Sequence, residues 1–313
     1  MTVLTKAMRE RIGDLFREEA GAGVVRDGAA PARNGYGTTR AARAAAPRHF
    51  VSTGIEEILP GGLVETEHGP VFVHERLYTD LGERPAPLLR KLAALSAPAP
   101  ERGSRAARRL RRARDLPEAV ALADPPERGL FRRFGHQRIL FLDIETCGLS
   151  AAPVFLVGLC HVGERNLVLR QLFARDYAEE RALLAELARI ARGFDFLVTF
   201  NGKSFDVPFL RDRAIQHRMP PPLDLPHLDQ LWMARRRWKE MLPNCRLTTL
   251  EWHVLRRRRA GDVGGAEIPG LYHDYVKRGE AHRLLPVFHH NLLDVVAMVE
   301  LTPPLFDPEA TVY

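Results

Sequence analysis

Residues 138–149, RILFLDIETCGL, run an apolar strand-like segment into two acids, Asp143 and Glu145. Side chains alternate across a strand, so residues two apart share a face. Asp143 and Glu145 therefore point the same way, and Leu142 and Ile144 point to the opposite face, into apolar packing. An unpaired charge at the end of a buried strand is costly. A chain keeps such acids mainly where they share metal ions or other partners.

Two further stretches carry acids in similar surroundings. Asp206 follows an apolar run in VTFNGKSFDVPFL (198–210), and Asp294 lies on a helical pattern in FHHNLLDVVAM (288–298). Convergence of Asp143, Glu145, Asp206 and Asp294 would make a hard-oxygen site. With no His/Cys cluster nearby, Mg²⁺ or Mn²⁺ is the expected cation. Two such ions about 4 Å apart would stabilise the attacking and leaving oxygens of an in-line displacement. The chemistry that fits is cleavage of phosphodiester bonds. A histidine beside the acids would serve as general base. His290 lies four residues before Asp294, roughly 40° away around a helix, whereas His289 is about 140° away.

The flanking patterns indicate an α/β fold. VFLVGLCHV and NLVLRQLFA read as strands joined by a turn at Gly163-Glu164, and FDFLVTF as another strand ended by Asn201-Gly202. Helical periodicity marks Tyr177 to Arg192, DVPFLRDRAIQHR with Asp206 in its first turn, LTTLEWHVL, GLYHDYVKRG and LLPVFHHNLLDVVAMVEL. Strands that alternate late with helices imply a sheet covered by helices.

The residues before 136 differ in character. Leu4, Met8, Ile12, Leu15 and Phe16 form one helical stripe. Residues 20–48 are rich in Gly, Ala, Arg and Pro without periodicity and read as a disordered, basic tether. GGLVETEHGPVFVHERLY reads as a β-hairpin turning at His68-Gly69-Pro70, and PLLRKLAALSA as a short helix. Residues 105–114 hold six arginines and no acid, either a solvated linker or a phosphate contact. The expected organisation is a tether with a short helix at 1–48, a small β and helical region with an arginine-rich linker at 49–135, and the main α/β domain at 136–306.

Composition narrows the function classes. The formal charge of +7 suits a polyanionic partner. Three cysteines without CxxC spacing do not suggest a zinc cluster, and an odd count without a secretory signal suggests a reducing cytoplasm. No run of roughly 18 uninterrupted apolar residues occurs, so no membrane span is expected.

Together, DIETCGL, TFNGKSFDVPFL and HHNLLDVVAM resemble the three motifs of the DEDD 3′–5′ exonucleases, on the ribonuclease H-like fold. The bacterial YprB-type ribonuclease H-like domain is the nearest resemblance, continuing through LPNCRLTTLE, IPGLYHDYVKRG and HNLLDV over roughly residues 136–302. It implies a mixed central sheet flanked by helices, and Asp143, Glu145, Asp206 and Asp294 as ligands of two metals. It implies substrate contacts at Thr146, Leu149, Asn201, Lys203 and Phe205. From the residues alone, Asn201 ends its strand, Lys203 is a loop lysine or a phosphate contact, and Phe205 is core or a base-stacking platform. Cys147 departs from the commonest motif, which has a threonine there. One subgroup of the family places its base five residues before the last acid, here His289; another places it four before, here His290. The shared helical face and Asn291 favour His290. The reading is a metal-dependent exonuclease acting on DNA or RNA. The alternatives are a structure-specific endonuclease on the same fold, or a nucleic-acid-binding module with an idle site. Asp229 reads as a helix N-terminal or solvent-facing acid, with an accessory acid near the site as the alternative, and Arg256 to Arg259 as a solvated face or a strand-binding groove.

Overall fold

The structure, a computed structural model, describes residues 54–98 and 125–313. The N-terminal stripe, the tether and the arginine run at 105–114 lie outside the described residues.

Among the described residues, seven strands form one mixed sheet. They are β1 (Gly62–Thr66), β2 (Gly69–Leu77), β3 (Ile139–Thr146), β4 (Val154–Val162), β5 (Leu167–Phe173), β6 (Phe196–Thr199) and β7 (His227–Asp229). Their spatial order is β1-β2-β5-β4-β3-β6-β7. β1 through β3 pair antiparallel along this order, and β3-β6-β7 are parallel. The hairpin is part of this sheet. Phe72 to Leu77 of β2 pair with Phe173 to Val168 of β5, so the sheet runs across the 135/136 division drawn from composition. Its turn sits one residue earlier than the sequence suggests, with Thr66 paired to Gly69.

Among the described residues there are eight helices: α1 (Pro85–Leu95), α2 (Arg128–Phe134), α3 (Glu180–Ala191), α4 (Asp206–Gln216), α5 (Gln230–Trp238), α6 (Leu247–Leu250), α7 (Ile268–Arg278) and α8 (Leu285–Phe306). LTTLEWHVL makes only the single turn of α6, followed by a π-helical turn at Glu251–Leu255. β7 is a strand of three residues, too short to show alternation.

The two faces of β3 explain the layers. Leu140, Leu142 and Ile144 pack with Leu183, Leu184 and Leu187 of α3 and Phe209 and Leu210 of α4. Ile139 and Phe141 face the other way, against Leu292, Val295, Val296 and Val299 of α8. A third cluster joins Phe72 of the hairpin to Phe155, Phe173, Tyr272 of α7 and Phe288 of α8. The segment that includes α8 is long and apolar enough to cross a bilayer, yet 78% of its most apolar window is buried inside the fold. It is the core helix of the sheet's second face.

Candidate metal centre

Asp143 and Glu145 leave β3 on the face that α8 covers. β6 pairs with β3 only as far as Phe141 and ends at Thr199. Beyond that point α4 begins, and its first residue, Asp206, comes close to the backbone of Ile144. Asp294 stands on the third turn of α8. The four carboxylates are close enough that each of Asp143, Glu145 and Asp206 feels the charge of Asp294.

Desolvation dominates the electrostatics. Burial, followed by the charges of Asp294, Glu145 and Asp206, holds Asp143 well above its ordinary pKa. Burial pushes Glu145 from 4.5 to about 8, against the opposing pull of His290. Burial lifts Asp206 to about 7, although backbone hydrogen bonds oppose it. Acids in this condition keep protons unless a cation replaces them.

Asp143 and Asp206 are held from behind. Asn291, fully buried, donates from Nδ2 to Asp143 Oδ2 at 2.9 Å, and its Oδ1 accepts from Gln171 Nε2 at 2.9 Å. Gly158 lies opposite both Asp143 and Gln171 in the sheet, and a Cβ there would fall 2.3 Å from Asn291 Oδ1. Asp206 is placed by the turn before it. Asn201 adopts φ 66°. Asp229 accepts from the backbone N–H of Asn201 at 2.9 Å, of Lys203 at 3.0 Å and of Leu231 at 3.0 Å. Asp229 is therefore a buried N-cap of α5 that also shapes the approach to Asp206, and it does not face solvent. Gly202 is required here too: a Cβ would fall 2.3 Å from Thr199 Oγ1. The β3–β4 loop is braced by buried Glu180, which accepts from Val154 N at 2.8 Å and Arg213 Nε at 2.7 Å. Arg213 in turn donates to Ala151 O at 3.3 Å.

His290 faces the cluster, with Nε2 3.6 Å from Asp294 Oδ2 and 4.0 Å from Glu145 Oε1. Its Nδ1 lies 2.7 Å from Asp262 Oδ1. Burial would lower its pKa, but Asp262 and the nearby acids outweigh this and push it up to about 8. His289 turns into the fold, only 2% exposed, and burial holds its pKa below the ordinary value.

Asp262 has no signal in the sequence, and Arg259 stands there only as the last residue of the Arg256 to Arg259 run. Arg259 bonds Glu251 at 2.8 Å, Asp262 at 3.0 Å and Asp294. The arginine run thus divides by parity. Arg257 pairs with Glu83 and Glu300, Arg256 stacks on Tyr313, and Arg258 stacks on Trp252. It is neither a uniformly solvated face nor a row of unpaired cations. As the side chains stand, no three His, Cys, Asp or Glu among the described residues close around one coordination point. Asp294 turns one oxygen to Arg259 and the other toward His290.

The remaining residues of interest lie at the rim. Leu149 is 88% exposed, and Asn201 and Lys203 are exposed. Thr146 is buried, with its hydroxyl donated to Gly148 O at 2.7 Å. Phe205 packs partly into the core and lies 5.3 Å from the Phe209 ring. Leu149, Phe205 and Phe209 line a cavity of about 330 Å³ between the β3–β4 loop and α4.

A family model of the RNase H superfamily matches residues 140–305, more than half of the chain. The chain belongs to the RNase H superfamily. The match spans β3 to the last turn of α8, and so includes all four acids and His290. YprB of Bacillus subtilis (strain 168), an uncharacterised protein, is 33% identical over 173 residues. That alignment covers 54% of this chain and 42% of YprB, so the chain spans less than half of its relative's length. Among solved structures, the family B DNA polymerase of Pyrobaculum calidifontis is similar at 19% identity and TM-score 0.42, over 53% of this chain and 24% of the polymerase. E. coli exonuclease I in complex with a dA16 oligonucleotide is similar at 18% identity and TM-score 0.32, over 54% and 42%.

Proposed function

We propose that this RNase H superfamily chain is a divalent-metal-dependent nuclease that hydrolyses phosphodiester bonds of DNA or RNA from the 3′ end. The observation that supports the reading is the mutual proximity of Asp143, Glu145, Asp206 and Asp294 beside His290, more carboxyl groups than Arg259 and His290 can pair. The donor set fits Mg²⁺ or Mn²⁺: hard oxygens, poorly solvated, that otherwise retain protons. Asp143, Glu145, Asp206 and Asp294 would hold two ions, which when bound supply charge stabilisation at the attacking and leaving oxygens. Asp294 must then give up part of its contact with Arg259.

The chain's own residues account for the rest. Asn291 keeps the Asp143 carboxylate in one orientation. His290 accepts the proton of the attacking water at Nε2. Lys203 and Asn201 stand at the rim where a phosphate backbone would pass, and Leu149 and Phe205 offer apolar surface to the terminal base. The cytoplasm is the proposed compartment.

The test uses 3′- and 5′-labelled single- and double-stranded DNA and RNA, with Mg²⁺, Mn²⁺ or EDTA. Metal-dependent loss from the 3′ end is expected, reduced at least about 100-fold in Asp143→Asn. A single internal cut would indicate an endonuclease. Salt-sensitive binding without cleavage under any metal would contradict the nuclease reading and indicate a binding module.

A further inference from the structure

Asp262 lies in the loop between the π-helical turn and α7, and its two carboxylate oxygens have separate duties. Oδ1 lies 2.7 Å from His290 Nδ1, and Oδ2 lies 3.0 Å from Arg259 Nη1. Arg259 reaches on to Asp294, which stands one helical turn after His290 and 3.6 Å from its Nε2. His290, Asp262, Arg259 and Asp294 thus form a closed ring of side chains. The ring ties the loop to two successive turns of α8.

At 2.7 Å, a carboxylate oxygen and an unprotonated Nδ1 would be two acceptors in contact. The geometry is satisfied only when Nδ1 carries the proton and donates it. A neutral imidazole then has its one lone pair on Nε2, the nitrogen that faces Glu145 and Asp294. Rotation of the ring would exchange the two nitrogens, and the bond to Asp262 opposes that rotation.

We infer that Asp262 is the positioning residue for His290: it fixes the tautomer and ring orientation that aim the Nε2 lone pair at the acid cluster, with Arg259 holding Asp262 in place. The inference rests on the proposal that His290 acts as the base, and it adds the group that makes the base competent. A carboxylate behind a histidine is a general device for setting its tautomer.

The experiment uses the full chain labelled with ¹⁵N-histidine, without metal, at alkaline pH where the imidazole is neutral. Wild-type His290 should show the Nδ1–H tautomer by its ring-nitrogen shifts. Asp262→Asn, checked for folding by circular dichroism, should give a mixture or the Nε2–H form, and Asp262→Glu should restore the wild-type form in part. In steady-state cleavage, kcat of Asp262→Asn should fall about 10²- to 10⁴-fold with KM changed by less than about threefold. An unchanged tautomer in Asp262→Asn would overturn the inference, as would unchanged kcat in an active enzyme. Should the wild type cleave nothing, the nuclease reading fails, and the tautomer measurement alone decides whether Asp262 positions His290.

Discussion

Gly158 has no side chain because Asn291 occupies that space, 2.3 Å from where a Cβ would stand. Gly158→Ala should push Asn291 off Asp143. The overpacking should cost about 1–3 kcal/mol in urea denaturation, and loss of the supporting hydrogen bond should lower turnover about 10- to 100-fold. A stable and fully active Gly158→Ala would mean that the Gln171–Asn291–Asp143 chain does not orient the acid. Some of this was legible in the sequence and some was not. Asp143, Glu145, Asp206 and Asp294 stand out because each interrupts an apolar pattern, and the 3.6-residue period favours His290 over His289 without deciding between them. Gly158, Gln171 and Asp262 have no such signature. Gly158 and Gln171 matter through register across three strands, and Asp262 through a loop without periodicity. The sequence leaves Asp229 open between a helix N-terminal or solvent-facing acid and an accessory acid near the site, because its other bonds are to backbone 26 and 28 residues earlier.

The elements most plainly written in the sequence are β3, β4, β5 and α8, where period and length agree. β7 was missed because three residues cannot alternate, and α6 was read too long because its pattern continues into a π-helical turn. The hairpin was recognised but its place was not. Pairing with β5 joins residues about 95 apart in the chain, and local pattern carries no information on such contacts. Its position has a consequence. Removing residues 1–81 would strip β2 from β5 and take Phe72 out of the cluster with Phe155 and Phe173. An exposed central strand edge invites aggregation. The truncated chain should therefore aggregate or melt well below the full chain in size-exclusion and thermal experiments. A monomer with an unchanged melting temperature would show that the hairpin is dispensable to the fold.

For the whole molecule, a formal charge of +7 surrounds a centre rich in acids. Burial of those acids sets the pH dependence. Glu145 titrates near 8 in the fold against an ordinary 4.5, and Asp206 near 7 against 3.8. His290 is also raised, to about 8 from 6.5. Across this window the folded chain binds more protons than the unfolded one, so stability falls as pH rises. The metal-free protein should melt at a lower temperature near pH 8 than near pH 5, and Mn²⁺ should raise the melting temperature more at about pH 8 than at about pH 5. Asp143→Asn, which replaces a poorly solvated acid with a neutral amide of the same shape, should melt no lower than wild type without metal while losing turnover. The most direct measurement is calorimetric titration of Mn²⁺ into the metal-free chain near neutral pH, beside Asp143→Asn and Asp294→Asn. Two ions per wild-type chain, with proton release and with at least one ion lost in each variant, is the expected result. No binding by the wild type, or the same binding in all three proteins, would contradict a metal centre built from these four acids.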